Sequence, residues 1–205
     1  MNDNNINRRS RSTQVMTRIA ILTAISVVLQ YIHIPLPFIA PPFMKWDIAD
    51  MPVLIGGYSM GPMAGLTIMF FKNLIMLLIK GTTTGGVGEL SNFIVGSTFV
   101  MSAALIYRRH KTFKMAIISL IVAVISMAVV ASLSNYFVVF PLYGKLMVPM
   151  EKIIAMGSAI FPSIVDLKTM ILYSVLPFNL IKGASSAIVA LLLYKRISPL
   201  LKVKE

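Results

Sequence analysis

The stretch MAIISLIVAVISMAVVASLSNYFVVFPL, residues 115–142, carries no charged side chain over twenty-eight positions. A bilayer core of roughly 30 Å is crossed by about 20 helical residues, so this stretch can span with length left for a tilt or a break near Pro141. Comparable apolar runs lie to either side: Met16 to Ile34, Met63 to Ile79, Glu89 to Tyr107, and Asp166 to Tyr194 with Pro177 as a kink. A shorter run, Ile48 to Met60, is separated from its successor by Gly61-Pro62. Only 13% of the 205 residues are charged and mean hydropathy is +0.83, whereas a soluble domain is about one-quarter charged. The sequence therefore predicts an all-α membrane protein. Its core is a bundle of six transmembrane helices over residues 16–195, between an N-terminal tail 1–15 and a C-terminal tail 196–205.

The net charge of +12 does not describe a nucleic-acid-binding face. Twelve of the nineteen Lys and Arg fall in three blocks flanking apolar runs: Arg8, Arg9, Arg11 and Arg18; Arg108, Arg109, Lys111 and Lys114; Lys195, Arg196, Lys202 and Lys204. Six spans place all three blocks on one side, which the positive-inside rule makes cytoplasmic, with both termini there. The short second run is the weak element of this topology, because five spans would put the basic C-terminus outside. No small-residue cleavage motif follows the first apolar run, so it reads as an uncleaved helix of a multi-pass cell-membrane protein. With no cysteine, thiol chemistry and disulfides are excluded.

A catalytic reading finds little support. His33 and His110 share no ligand spacing with carboxylates, and no metal or cofactor is expected. The glycine-rich stretch GTTTGGVGELS (residues 81–91) lacks the Lys-Ser/Thr ending of a phosphate loop and reads as a turn. Energy for any transport must then come from an ion gradient or a partner.

Polar groups inside apolar runs are more informative, since hydrocarbon leaves them costly unless they face a partner, a cavity or a ligand. Lys182 lies about 18 Å along a helix from the basic end at Lys195, too far to reach the cytoplasmic interface. Asn179 sits one turn earlier on the same face. Asn135 and Tyr136 occupy the outer half of the fifth run, and Glu89 opens the fourth at the same level. Together these five can line an outward-facing pocket. The structural alternatives are a Lys182 reaching the external interface, an interhelical hydrogen bond for Asn135, and a helix-start charge for Glu89. Lys72 and Asn73 read as a buried polar pair, and Trp46 as an interfacial anchor beside Phe43, Asp47 and Asp50 in a proline-rich loop. Ala20 and Ala24 form a small-residue face suited to a second subunit, and Gly57, Gly61 and Gly65 a ladder for close helix packing.

The run Lys45-Trp46-Asp47-Ile48-Ala49-Asp50-Met51-Pro52-Val53-Leu54-Ile55-Gly56-Gly57, followed by Gly61-Pro62, Lys72-Asn73 and Gly88-Glu89-Leu90-Ser91-Asn92-Phe93, resembles the riboflavin-specific substrate-binding (S) component of energy-coupling factor (ECF) vitamin transporters. The resemblance covers Ala20 to Lys195. It implies a six-helix bundle that captures riboflavin from the external side under a lid formed by the first loop. It also implies a membrane coupling (T) subunit docking on Ala20 and Ala24, and two cytoplasmic ATPases that drive release. By the same resemblance Asn179 and Lys182 would hydrogen-bond the polar edge of the isoalloxazine ring, Asn135 would join them, and Phe43 and Met44 would cover its apolar part.

Two other classes stay open on the residues. An S component for another vitamin or an ion-coupled secondary transporter would also be a polytopic carrier, the latter with an inverted repeat and midplane carboxylates. An intramembrane enzyme would need an acid-base pair, for which Asp47, Asp50 and Glu89 are the candidates.

Overall fold

The computed structural model describes the backbone of residues 3–82 and 84–201 and the side chains of residues 12–82 and 84–193. Helix α1 (Asp3–Tyr31) leads into a proline-rich loop pinned by a short antiparallel pairing of β1 (Ile34–Pro35) with β2 (Lys45–Trp46). Then follow α2 (Asp50–Met60), α3 (Pro62–Lys80), α4 (Val87–Arg109) and α5 (Phe113–Ser134). A π-helical turn, Asn135–Val139, carries α5 directly into α6 (Phe140–Leu146); α7 (Met150–Ser158) is a short helix in the expected loop. Finally α8 (Leu167–Met170), a second π-helical turn (Ile171–Val175) and α9 (Leu176–Leu201) form one rod. Both expected tails continue these helices: α1 begins at Asp3 and α9 ends at Leu201, while residues 1, 2 and 202–205 lie outside the described residues.

Five helical segments are long and apolar enough to cross a membrane: Ser12–Tyr31, Pro62–Lys80, Val87–Arg109, Phe113–Leu146 and Leu167–Leu193. The expected second span does not join them. It is α2, eleven residues long, about 16 Å at the helical rise and so shorter than the hydrocarbon core. Instead of facing lipid, α2 is wrapped by α1, α3, α4 and α9, and Asp50 through Tyr58 are all buried. Its start carries Pro52 in the first turn, where no backbone donor is lost. Its end is Gly61 at φ +104°, a conformation open to glycine, and Pro62 begins α3 at once.

Helices in lipid gain little from hydrophobic burial against one another, so small residues that allow close approach matter more. The interior shows this: Ala103, Ala104, Ala116, Ala123, Ala131, Ala187 and Ala190 form much of the α4–α5–α9 core. Where α2 folds back on α3, a Cβ built on Gly65 would stand 2.7 Å from Val100 Cγ2 and 3.0 Å from the Gly57 backbone. Of the expected glycine ladder, Gly57 and Gly65 therefore face each other, while Gly61 is the turn between them.

The two prolines expected to break helices do something gentler. Pro141 and Pro177 sit in the first turns of α6 and α9, each immediately after a π-helical turn. A proline ring clashes with the carbonyl four residues back, here Phe137 and Tyr173, and the wider turn holds both carbonyls clear. The last rod opens on a capping box in which Asp166 Oδ1 accepts the Thr169 N–H at 2.8 Å and the Thr169 hydroxyl. These bonds, the backbone one first, hold the Asp166 carboxyl below the usual carboxylate range.

The centre of the bundle is charged. Lys72 Nζ lies 2.6 Å from Asp50 Oδ1, both side chains being 1% exposed. Removing one member of such a pair leaves a bare charge in low dielectric, whereas replacing both by apolar groups does not. Lys72→Met should lower unfolding stability in detergent by about 3–5 kcal/mol, and adding Asp50→Leu should restore most of it. Equal loss in the single and double variants would show that the pair is not what Lys72 contributes.

Candidate ligand-binding site

At the end of the bundle where α4 begins, a cavity of about 250 Å³ opens between loop 1, the α3–α4 turn, the first π-helical turn and α9. Six of the seven residues expected to bind a ligand line it: Phe43, Met44, Glu89, Asn135, Asn179 and Lys182. The seventh, Tyr136, is not among the lining residues. Its ring meets Phe137 edge-on at 4.9 Å, and Phe137 is 67% exposed on the outer surface.

Lys182 turns inward. It is 6% exposed, and its Nζ donates to Asp47 Oδ2 at 3.1 Å. The other oxygen of Asp47 accepts the Ala49 N–H at 3.0 Å, so one carboxylate holds both α9 and the approach to α2. An ammonium has three protons; with one directed at Asp47, donor capacity remains for the cavity that Lys182 lines. Two further contacts tie the loop to the last rod. Trp46 Nε1 donates to Ser185 Oγ at 3.1 Å, and Ser174 Oγ donates to the Ile39 carbonyl at 2.9 Å. Trp46, expected at a headgroup interface, is thus part of the loop's attachment to α9.

Both asparagines use the amide nitrogen on their own helix. Asn179 Nδ2 donates to the Val175 carbonyl and Asn135 Nδ2 to the Ala131 carbonyl, each at 2.8 Å. Neither carbonyl oxygen has a partner among the described residues, and a fixed amide with one end committed presents the other in a defined direction. The π-helical turns explain why these two come together: Asn135 opens the first, and Asn179 follows the second by one helical turn. Such insertions shift the helical register by about one residue, which rotates the following side chains about the axis.

Glu89 stands in the first turn of α4, with Oε2 accepting from the hydroxyls of Thr82 at 3.0 Å and Thr84 at 2.9 Å. Thr84 Oγ1 in turn accepts the Gly88 N–H at 3.1 Å. A Cβ on Gly88 would lie 2.8 Å from Thr84 Oγ1 and 2.9 Å from the Tyr143 hydroxyl, so the glycine lets both side chains close on this corner without shifting. Phe43 is packed edge-on against Phe140 and Tyr143, with centroids at 6.1 and 6.2 Å, and Met44 joins the same cluster. One wall of the cavity is therefore apolar and another is amide, ammonium and carboxylate.

Sequence reasoning missed four contributors. Asp47, the counter-ion of Lys182, is 135 positions away, a separation no local pattern reveals. Asn92 lines the cavity and donates to Asn73 Oδ1 at 2.8 Å, while Asn73 donates to the Met69 carbonyl. Lys72 and Asn73 are thus not paired with each other: one belongs to Asp50 and the other positions Asn92. Thr84 and Tyr143 also line the cavity. Ala20 and Ala24 are remote from the cavity lining and lie exposed on the outer face of α1 beside Ile21, Ile25 and Val28.

Comparison with known proteins gives concordant results. Residues 14–194 match the family model described as the ECF transporter, substrate-specific component. The riboflavin transporter RibU of Staphylococcus aureus is 36% identical over 184 residues, covering 90% of each chain. The riboflavin transporter FmnP of Bacillus subtilis is 29% identical over 88% of this chain and 90% of its own. A solved S component of a bacterial ECF transporter superposes with a TM-score of 0.74 at 34% identity, over 94% of this chain and 99% of that one. The sequence match over nearly the whole chain and the shared helical architecture place this protein in the family of substrate-specific components of ECF transporters.

Proposed function

We propose that the cavity at the start of α4 binds riboflavin, captured from the external side and passed to a membrane coupling subunit driven by two separate ATPases. The observation that carries this reading is the convergence of Asn135, Asn179 and Lys182 on one side of a cavity whose other side is Phe43 and Met44. A flavin ring is flat, apolar at one edge and rich in carbonyl and imide groups at the other, which is the pattern of this lining. Relatives that share nine-tenths of the chain's length carry the name of riboflavin transporters. Lys182 donates to ring acceptors with the protons Asp47 does not take. The asparagine oxygens accept from the imide or the side-chain hydroxyls, and the free oxygen of Glu89 accepts from the ribityl chain.

In this reading the cavity faces outward and the basic ends of α1, α4 and α9 face the cytoplasm, as the distribution of Lys and Arg demands. Loop 1 and the enclosed α2 together carry the chain through the depth that α2 alone does not reach, completing six passes. The exposed Ala20–Ala24 face of α1 is the docking surface for the coupling subunit, because small side chains let another helix approach closely. The isolated chain binds and releases a ligand and turns nothing over.

Riboflavin fluorescence should be quenched by the purified chain with one ligand bound per polypeptide. Loss of quenching across the accessible concentration range would remove the vitamin assignment.

Lys182→Ala should weaken binding more than about tenfold, in line with a charged hydrogen bond lost from a desolvated site. Unaltered affinity would show that the ammonium serves Asp47 alone. Ala24→Trp should leave this affinity unchanged while cells reconstituted with the coupling module lose riboflavin uptake; normal uptake would place docking elsewhere.

A further inference from the structure

A second cavity, of about 370 Å³, lies at the opposite end of α4, between its last turn and the α2–α3 turn. Its rim holds Arg108 and Lys111, and its walls hold Tyr58, Tyr107, Ser59 and Met63. We infer that this cavity is a binding site for the phosphate of an anionic phospholipid, with the acyl chains leaving over the exposed face of α3.

Four features of the cavity converge on that ligand. The first is uncompensated charge: neither Arg108 nor Lys111 forms an ion pair among the described residues. Glu89, the only carboxylate on α4, stands in the first turn at the other end of that helix. Twenty-three residues of helix separate the ends by about 34 Å, well beyond a Debye length of about 8 Å. The second is preorganisation. Tyr58 and Tyr107 stack at 4.3 Å, are 7% and 4% exposed, and Tyr58 is anchored through its hydroxyl to the Ala116 carbonyl and Ser119. One wall of the cavity is therefore a fixed aromatic pair.

The third feature is the first turn of α3, whose residues Pro62 and Met63 line the cavity and whose helix dipole adds partial positive charge. The fourth decides between a lipid and a soluble anion. The cavity lies at the end of a helix long and apolar enough to cross a membrane, where headgroups lie, and Met63 beside it is 66% exposed. A cationic rim continued by an outward apolar surface matches an amphiphile, and basic pockets between spanning helices are suited to anionic headgroups. The inference does not depend on the identity of the ligand in the first cavity.

The test uses the full chain in nanodiscs of phosphatidylcholine mixed with an equal amount of phosphatidylglycerol, with retained lipid counted by native mass spectrometry. The wild-type chain should retain phosphatidylglycerol selectively. Arg108→Gln with Lys111→Gln should reduce that retention about thirtyfold, the product expected for two cations near a phosphate. Arg109→Gln with Lys114→Gln removes the same charge from positions outside the cavity lining and should retain the lipid. Equal loss in both double variants would reduce the effect to general surface charge and overturn the proposal. So would displacement of the lipid by millimolar inorganic phosphate, which would make the cavity a site for free anions. Circular dichroism of each variant establishes that the fold is intact.

Discussion

Two lysines in the interior of a membrane bundle need opposite charges beside them, and both find theirs in a single short stretch of chain. Asp47 pairs with Lys182 of α9 and Asp50 with Lys72 of α3. An ammonium in hydrocarbon without such a partner costs several kcal/mol, so each pair leaves little freedom in where its helices stand. Because the two carboxylates are only three residues apart, the entry to α2 becomes the point to which α3 and α9 are both tied. That tie explains why eleven residues too short to cross a membrane by themselves are nonetheless placed at the centre, buried on every side.

The ligand cavity sits directly against this tie. Asp47 holds Lys182 at the cavity wall, while Trp46 and Ile39 join loop 1 to the last rod through Ser185 and Ser174. Loop 1 is therefore attached at three points along one rod, with its aromatic portion resting on Phe140 and Tyr143. The pairing also sets the character of the site. A lysine neutralised by a carboxylate offers hydrogen-bond donors without a bare positive charge, which suits a polar but uncharged ring. At the opposite end of α4, Arg108 and Lys111 have no ion-pair partner among the described residues, and the two ends of α4 thereby differ in the chemistry they can accept.

The π-helical turns show a second constraint at work. Each stands just before a proline, and each leads into a lining asparagine or contains one. One device relieves the proline's clash with the carbonyl four residues back and also turns Asn135 and Asn179 toward a common space. Proline in the fifth and sixth apolar runs is plain in the sequence, but whether it yields a kink, a break or an inserted residue depends on what neighbouring helices will accommodate. The expected kink at Pro177 and the break near Pro141 are in fact two wide turns within continuous rods.

Much of this was legible in the residues alone. Apolar length determined the helical membrane class and five of the spans, since crossing hydrocarbon demands a minimum of uninterrupted apolar helix whatever the tertiary arrangement. The cost of a buried polar group singled out Lys182, Asn179, Asn135 and Glu89, and the loop residues Phe43 and Met44 came from the family pattern. Tertiary structure alone decided which polar group answers which. Asp47 meets Lys182 across 135 positions, Asn73 turns to Asn92 instead of its neighbour Lys72, and Tyr136 faces away from the cavity one residue after Asn135. Helical periodicity states which side chains share a face, but the direction of that face, and the partner it meets, are set only when the other helices are packed against it.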